Sequence, residues 1–140
     1  MELKVKRLNP EAKLPTYAHL NDAGMDLYVA EEATLNPGQV VRVKTGIAVE
    51  IPEGYAGLCW DKSGLSTNHL LKTMAGVIDA GYRGEIMVGI MNLGSEPYVF
   101  KIGDKVAQMI IQKIDHPEIV EVRELSDTSR GEGGFGSTGK

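Results

Sequence analysis

The sequence has 140 residues, of which 42% are hydrophobic and 24% charged; that is the length and composition of one globular domain. Nineteen Asp and Glu against fifteen Lys and Arg leave a formal net charge of −4, which excludes a general nucleic-acid coat protein, since that would be basic. A single cysteine, Cys59, excludes an intramolecular disulfide and a cysteine-rich zinc site.

No apolar run reaches the roughly 18 residues of a transmembrane helix. The first ten residues carry charges throughout, unlike a signal peptide. A soluble cytoplasmic protein is expected, with no membrane and no nucleic-acid partner. Glycine stands out at 17 residues, or about 12% against a usual ~7%.

Turn signals recur along the chain at Asn9-Pro10, Asn21 to Gly24, Asn36-Pro37-Gly38, Pro52-Glu53-Gly54, Ala80-Gly81, Gly94-Ser95 and Gly103-Asp104. Runs rich in Val, Ile and Leu lie between them. Over residues 41–51 the apolar set is Val41, Val43, Ile47, Val49 and Ile51, with Arg42, Lys44 and Glu50 opposite; this period of two predicts a half-buried strand. The one predicted helix is short, over residues 65–72. Residues 76–86 predict a hairpin turning at Ala80-Gly81, with Asp79 at the strand end and Tyr82 just past the turn. A turn-capping Asp beside a packing Tyr, and a catalytic pair, are both open readings. Ile86, Val88 and Ile90 alternate with Met87 and Met91 in a further strand. Residues 106–114 predict another, in which Gln108 shares a face with Val106 and Ile110. That glutamine is either an edge or interface residue or a side chain aimed at a ligand.

Short strands at this spacing predict an all-β sandwich or barrel. Residues 126–140 lose apolar periodicity and carry five glycines in the last eleven positions, which predicts a mobile Gly-rich C-terminal arm. Gly131 to Gly136 matches GxGxxG, but a dinucleotide site needs a βαβ unit around it, and the pattern offers none. Arg130 and Phe135 suit another role, since a guanidinium pairs bidentately with phosphate and an aromatic face stacks on a base. Together with Gly136, Ser137 and Thr138 they read as a flap over a nucleotide, while a disordered, solvated end is the other open reading. His19, His69 and His116 are scattered and suit the surface. Cys59 and Trp60 suit packing.

Five segments in order resemble the five motifs of the trimeric dUTPase family, and they span residues 23–139. They are Ala23-Gly24-Met25-Asp26-Leu27; Lys62-Ser63-Gly64-Leu65-Ser66; Gly76-Val77-Ile78-Asp79-Ala80-Gly81-Tyr82-Arg83-Gly84-Glu85-Ile86; Gly103-Asp104-Lys105-Val106-Ala107-Gln108-Met109-Ile110; and Arg130-Gly131-Glu132-Gly133-Gly134-Phe135-Gly136-Ser137-Thr138-Gly139. The third and fifth are the most specific.

The resemblance implies a jelly-roll-like β-barrel over residues 1–125, with residues 126–140 as an arm that closes the active site. It implies a homotrimer with active sites between subunits, hydrolysing dUTP to dUMP and pyrophosphate with Mg²⁺. That activity would limit uracil in DNA and supply dUMP for dTMP synthesis. Mapped onto this sequence, Asp79 is the general base and Tyr82 stacks on the deoxyribose. The backbone around Gly76, Val77, Ile78 and Met87 reads the uracil edge. Ser63 and Gly64 bind phosphate and Lys62 beside them binds substrate, while Gln108 contacts phosphate and the water. Asp26 supports the metal through water. Arg130 pairs with the terminal phosphate, Phe135 stacks over uracil, and Gly136, Ser137 and Thr138 close on the phosphates.

One departure stands out. Asp61-Lys62 precede Ser63 where the family usually has Pro-Arg; Lys keeps the charge but loses the planar fork, and Asp61 adds a negative charge nearby. The rival families are dCTP deaminases and bifunctional dCTP deaminase/dUTPases, whose flavour shows in Thr73-Met74-Ala75-Gly76. The deaminase glutamate, however, maps to Gly89. A non-catalytic nucleotide-binding regulator would not need Asp26, Asp79, Tyr82, Arg130 and Phe135 together.

Overall fold

A computed structural model describes residues 1–134, and Phe135, Gly136, Ser137 and Thr138 lie outside the described residues. The described chain is built of short strands with one helix. In order these are β1 (Lys4–Arg7), β2 (Met25–Tyr28), β3 (Ala33–Leu35), β4 (Val40–Lys44), β5 (Ile47–Glu50), β6 (Tyr55–Trp60), α1 (Ser63–His69), β7 (Leu71–Met74), β8 (Val77–Ile78), β9 (Met87–Asn92), β10 (Tyr98–Phe100) and β11 (Lys105–Lys113). Four strands align as β2-β11-β6-β8 and three as β4-β9-β7, while β1 pairs β5 and β10 pairs β3. Every pairing is antiparallel. The result is the expected all-β fold of jelly-roll character.

The core lies between these sheets. Leu27, Val29, Leu35, Val43, Phe100, Ala107 and Met109 are fully buried in it. The alternation read in the sequence holds on β9, where Val88 and Ile90 are buried while Met87 is exposed. On β11 it holds only in part. The register shifts between Lys105 and Ala107, so Val106 and Ala107 are both core residues and Gln108 shares its half-buried side with Ile110 alone. A bulge admits one extra residue and resets the two-residue period.

Two element bounds differ from expectation. The strand over residues 41–51 is two strands, interrupted at Thr45-Gly46, where Gly46 has φ +66° and the buried Thr45 hydroxyl donates to the Ile86 carbonyl at 2.5 Å. The helix occupies Ser63–His69 rather than residues 65–72. Leu70 takes a left-handed conformation (φ 55°) that ends it, and Leu71 and Thr73 then alternate with Lys72 and Met74 as a strand. Sequence spacing alone could not separate these, since Leu70, Leu71 and Met74 satisfy a helical spacing as well.

The largest departure concerns residues 76–86. Their two arms do not pair with each other: β8 pairs with β6, whereas β9 pairs with β4 and β7. The chain leaves one sheet after Met74 and enters the other at Val77. Ala75 (φ 61°) and Gly76 (φ +128°) make that crossing. A Cβ on Gly76 would stand 2.6 Å from the Cys59 carbonyl oxygen, and the Gly76 carbonyl accepts the Cys59 N–H at 2.8 Å. Gly76→Ala therefore combines a backbone clash with a strained φ. It should destabilise the fold by about 1–3 kcal/mol, measured by urea unfolding; an unchanged midpoint would show that the crossing tolerates a side chain.

Candidate functional site

Because β8 and β9 belong to different sheets, the loop joining them is open, and a cavity of about 450 Å³ lies inside it. Its walls include Gly76, Val77, Ile78, Asp79, Tyr82 and Met87, six of the residues expected in the site, together with Arg42 and Met74. Val77 is 72% exposed, although an apolar residue in a strand would ordinarily face a core. As the edge strand of its sheet, β8 keeps one side of its backbone free for a ligand.

The loop is held from several directions. Arg83 donates from one guanidinium nitrogen to the carbonyls of Ala80 (2.6 Å) and Tyr82 (3.0 Å). The Tyr82 hydroxyl donates to the Glu85 carbonyl at 3.0 Å. A Cβ on Gly84 would come within 2.3 Å of that hydroxyl, so only glycine lets the ring lie where it does. Glu85 accepts the Gly46 N–H at 2.8 Å, and the Ile86 N–H donates to the Ile47 carbonyl at 2.8 Å. The Tyr82 ring and the Asp79 carboxylate thus stand exposed at the rim of a pinned loop.

A second group of predicted residues assembles on β11. Register places Gln108 opposite Asp26 on β2 and opposite Trp60 on β6. Directly paired residues point to one face of a sheet, so Asp26, Gln108 and Trp60 form a row. Asp61, Lys62, Ser63 and Gly64 follow Trp60 immediately. Trp60 is 54% exposed in the single chain, so it takes no part in this chain's core. Cys59, one residue earlier, does pack, and burial pushes its thiol up to about 11.

Asp26 is 2% exposed. Lys62 Nζ donates to its Oδ1 at 2.5 Å, and Lys105 Nζ lies 2.6 Å from Oδ2 without hydrogen-bond alignment. Burial works to raise the Asp26 pKa, but the two lysines outweigh it and hold the carboxyl below its ordinary value. Lys62 is therefore anchored by Asp26. Lys105 was not singled out from the sequence, because its approach to Asp26 depends on the β2–β11 register.

Asp61 does not bear on Lys62 as expected. Its carboxylate accepts the Thr73 N–H at 2.6 Å and Lys72 Nζ at 2.5 Å. Gln108 donates from Nε2 to the Asp61 carbonyl at 2.9 Å. A smaller cavity of about 230 Å³ runs along Trp60, Asp61 and Lys72 and shares Cys59, Thr73, Ala75, Gly76 and Val77 with the first. The polar row and the open loop are thus contiguous.

Arg130 lies elsewhere, on an exposed turn where its Nε donates to the Gly133 carbonyl at 2.8 Å. His19, His69 and His116 are exposed, and His69 packs edge-on against Tyr98. Among the described residues no three His, Cys, Asp or Glu side chains are grouped to hold a metal. A lone buried carboxylate flanked by lysines suits only a cation carried largely by its own waters and by ligand phosphates, which is how Mg²⁺ prefers to bind.

A family model described as dUTPase matches residues 10–139. The deoxyuridine 5'-triphosphate nucleotidohydrolase of Clostridium kluyveri is 50% identical over 141 residues, covering 99% of this chain and 99% of that protein. The nucleotidohydrolase of the same name from Thermobifida fusca is 46% identical over 142 residues, covering 99% of this chain and 79% of its own. Among solved structures, a mutant of the Staphylococcus bacteriophage 80alpha dUTPase with dUpNHpp superposes with a TM-score of 0.94 at 34% identity, covering 99% of both chains. A mutant dUTPase from phage phi11 of S. aureus, described for its coordination of a structural Mg(II) ion, has a TM-score of 0.84 at 33% identity. It covers 89% of this chain and 98% of its own.

The depressed pKa of Asp26 links stability to acid. Its contribution is present above the ordinary carboxylate value and is lost as pH falls through the lower folded value. Asp26→Asn should be less stable than the parent at pH 7, and the two unfolding free energies should converge below pH 3.8. Denaturant titrations across pH 2–7 check this; a constant difference would show that the lysine pairing does not stabilise the fold.

Proposed function

The chain belongs to the dUTPase family and is a dUTP diphosphatase, and we propose that it cleaves dUTP by attack of a water on the α-phosphate with Asp79 as general base. The observation that carries this reading is the open loop. One continuous segment presents Asp79 and Tyr82 at the rim of a cavity whose walls include Gly76, Val77, Ile78 and Met87.

Uracil enters the loop, and the free side of β8 around Val77 and Ile78 offers fixed donors and acceptors to its edge. A cytosine edge mismatches such a pattern, and unpaired polar groups discriminate strongly. Tyr82 lies against the deoxyribose, its ring held through Glu85. The phosphates run along the polar row toward Lys62, Ser63, Gly64 and Gln108. Attack at phosphorus is chiefly a matter of positioning and electrostatics. Asp79 accepts the water proton as the phosphorus–oxygen bond forms, and pyrophosphate leaves. Asp26 would support Mg²⁺ through water, and the ion would supply screening of the phosphate charge.

The active unit is a homotrimer, and residues 126–140, with Arg130, Phe135, Gly136, Ser137 and Thr138, close over a neighbouring site. Apolar side chains left bare in a single chain support this. Ile119 and Leu125 are 91% and 87% exposed, and Val120 and Val122 are also uncovered. Among the described residues no helix is long and apolar enough to cross a membrane. Limiting uracil in DNA and supplying dUMP are the roles that fit this reaction.

Incubation with dUTP, dCTP, dTTP and UTP in the presence of Mg²⁺ tests the reading. Pyrophosphate should come from dUTP alone, and ammonia from dCTP or no turnover would overturn it. Asp79→Asn should bind dUTP and lose turnover about 10²–10⁴-fold; wild-type turnover would remove Asp79 from the role of base. Deleting residues 130–140 should cost activity while the trimer, read by light scattering, persists. A truncated enzyme as fast as the parent would reject the flap.

A further inference from the structure

We propose that Asp61 is a positioning residue that fixes the phosphate-binding turn against the base pocket. The inference rests on the function proposed above.

Asp61 lies between the end of β6 and Lys62, and its polar groups reach two strands, β7 and β11. The carboxylate accepts the Thr73 N–H of β7 at 2.6 Å and the ammonium of Lys72 at 2.5 Å. The backbone carbonyl accepts Gln108 Nε2 of β11 at 2.9 Å. Each partner belongs to a different part of the site. Thr73 is a wall of the base cavity. Gln108 stands beside Asp26 in the polar row. Lys62 and Ser63 are covalent neighbours of Asp61.

The turn is also held from the β2 side by the Lys62–Asp26 pair, and Leu65 of α1 packs against the core. Lys62 is the N-cap of α1 and its side chain does not cap the helix. No residue of α1 is buried. The Thr73–Asp61 bond is the tie that joins the turn before Ser63 directly to a wall of the base cavity. Gln108 faces the site with its amide orientation set by the Asp61 carbonyl, since the nitrogen donates there and the oxygen is left free. Asp61 does not touch substrate in this arrangement; it acts through Gln108 and the turn. Misplacement of a phosphate by about 1 Å can cost roughly 10²-fold in rate.

The test compares variants of the full-length enzyme by pyrophosphate release from dUTP. Asp61→Ala should lower kcat about 10- to 100-fold and change KM less than about three-fold, because alignment is realised in the transition state. Asp61→Asn keeps an oxygen acceptor for the Thr73 N–H and should restore kcat to within about three-fold of the parent. Asp61→Glu keeps the charge and the Lys72 partner but displaces the acceptor by one methylene, so kcat should again fall while the melting temperature holds. Combining Asp61→Ala with Gln108→Ala should cost no more than the worse single change, as expected of residues acting as one unit. Wild-type kcat in the Ala or Glu variant, an Asn variant as poor as Ala, or additive losses in the double variant would each overturn the inference. The Glu variant carries the test if Ala does not fold. Absence of turnover in the parent would instead overturn the proposed function, so the two failures are distinguishable.

Discussion

The crossing at Ala75-Gly76 is the constraint on which the site depends. Two residues carry the chain from the β4-β9-β7 sheet to the β2-β11-β6-β8 sheet. That is possible only because both take positive φ and Gly76 has no side chain to meet the Cys59 carbonyl. A conventional hairpin in the same place would zip its strands together and leave no opening. Here the arms are committed to different partners, so the loop between them stays open and its edge backbone remains free for a ligand. Other contacts stiffen that opening. Arg83 ties the turn, Gly84 admits the Tyr82 ring, and Glu85 and Ile86 fasten the return to β5 and the turn before it.

In the neighbouring polar row, which the proposed function sets against the phosphates, each carboxylate is paired with lysine. Carboxylates near a triphosphate repel it, and the two that flank the row, Asp26 and Asp61, are compensated by lysines. Lys62 and Lys105 converge on the buried Asp26, and Lys72 takes Asp61. The net charge of the chain is negative, yet this local surface presents ammonium groups. Lysines held by a buried carboxylate keep their direction without the planar fork that arginine would bring. Asp61 proves to be turned toward β7, and its added negative charge is spent on structure.

The alternation of Ile86, Val88 and Ile90 and the abundance of turn signals were sufficient for an all-β assignment, because a period of two is written residue by residue. The motif segments located Asp79, Tyr82 and Gln108 because those side chains sit at fixed offsets from glycines that the local backbone needs. Less legible were the helix bounds and the bulge. At residues 63–74 a helical and a strand period overlap, and only the left-handed Leu70 separates them. At Val106 one extra residue resets the alternation, and nothing in its side chain announces it.

By itself the sequence determined the strand-rich architecture, the glycine positions around the base loop and the chemical groups available to the site. These follow from local preference, which each residue carries into any fold. Tertiary structure alone decided which residues meet. The pairing of Asp26 with Lys62 and Lys105, the row through Gln108 to Trp60, and the turning of Asp61 toward Thr73 all depend on strand register. Register is settled by burial of the whole core, because a slip of one residue would send every side chain of a strand to the opposite face.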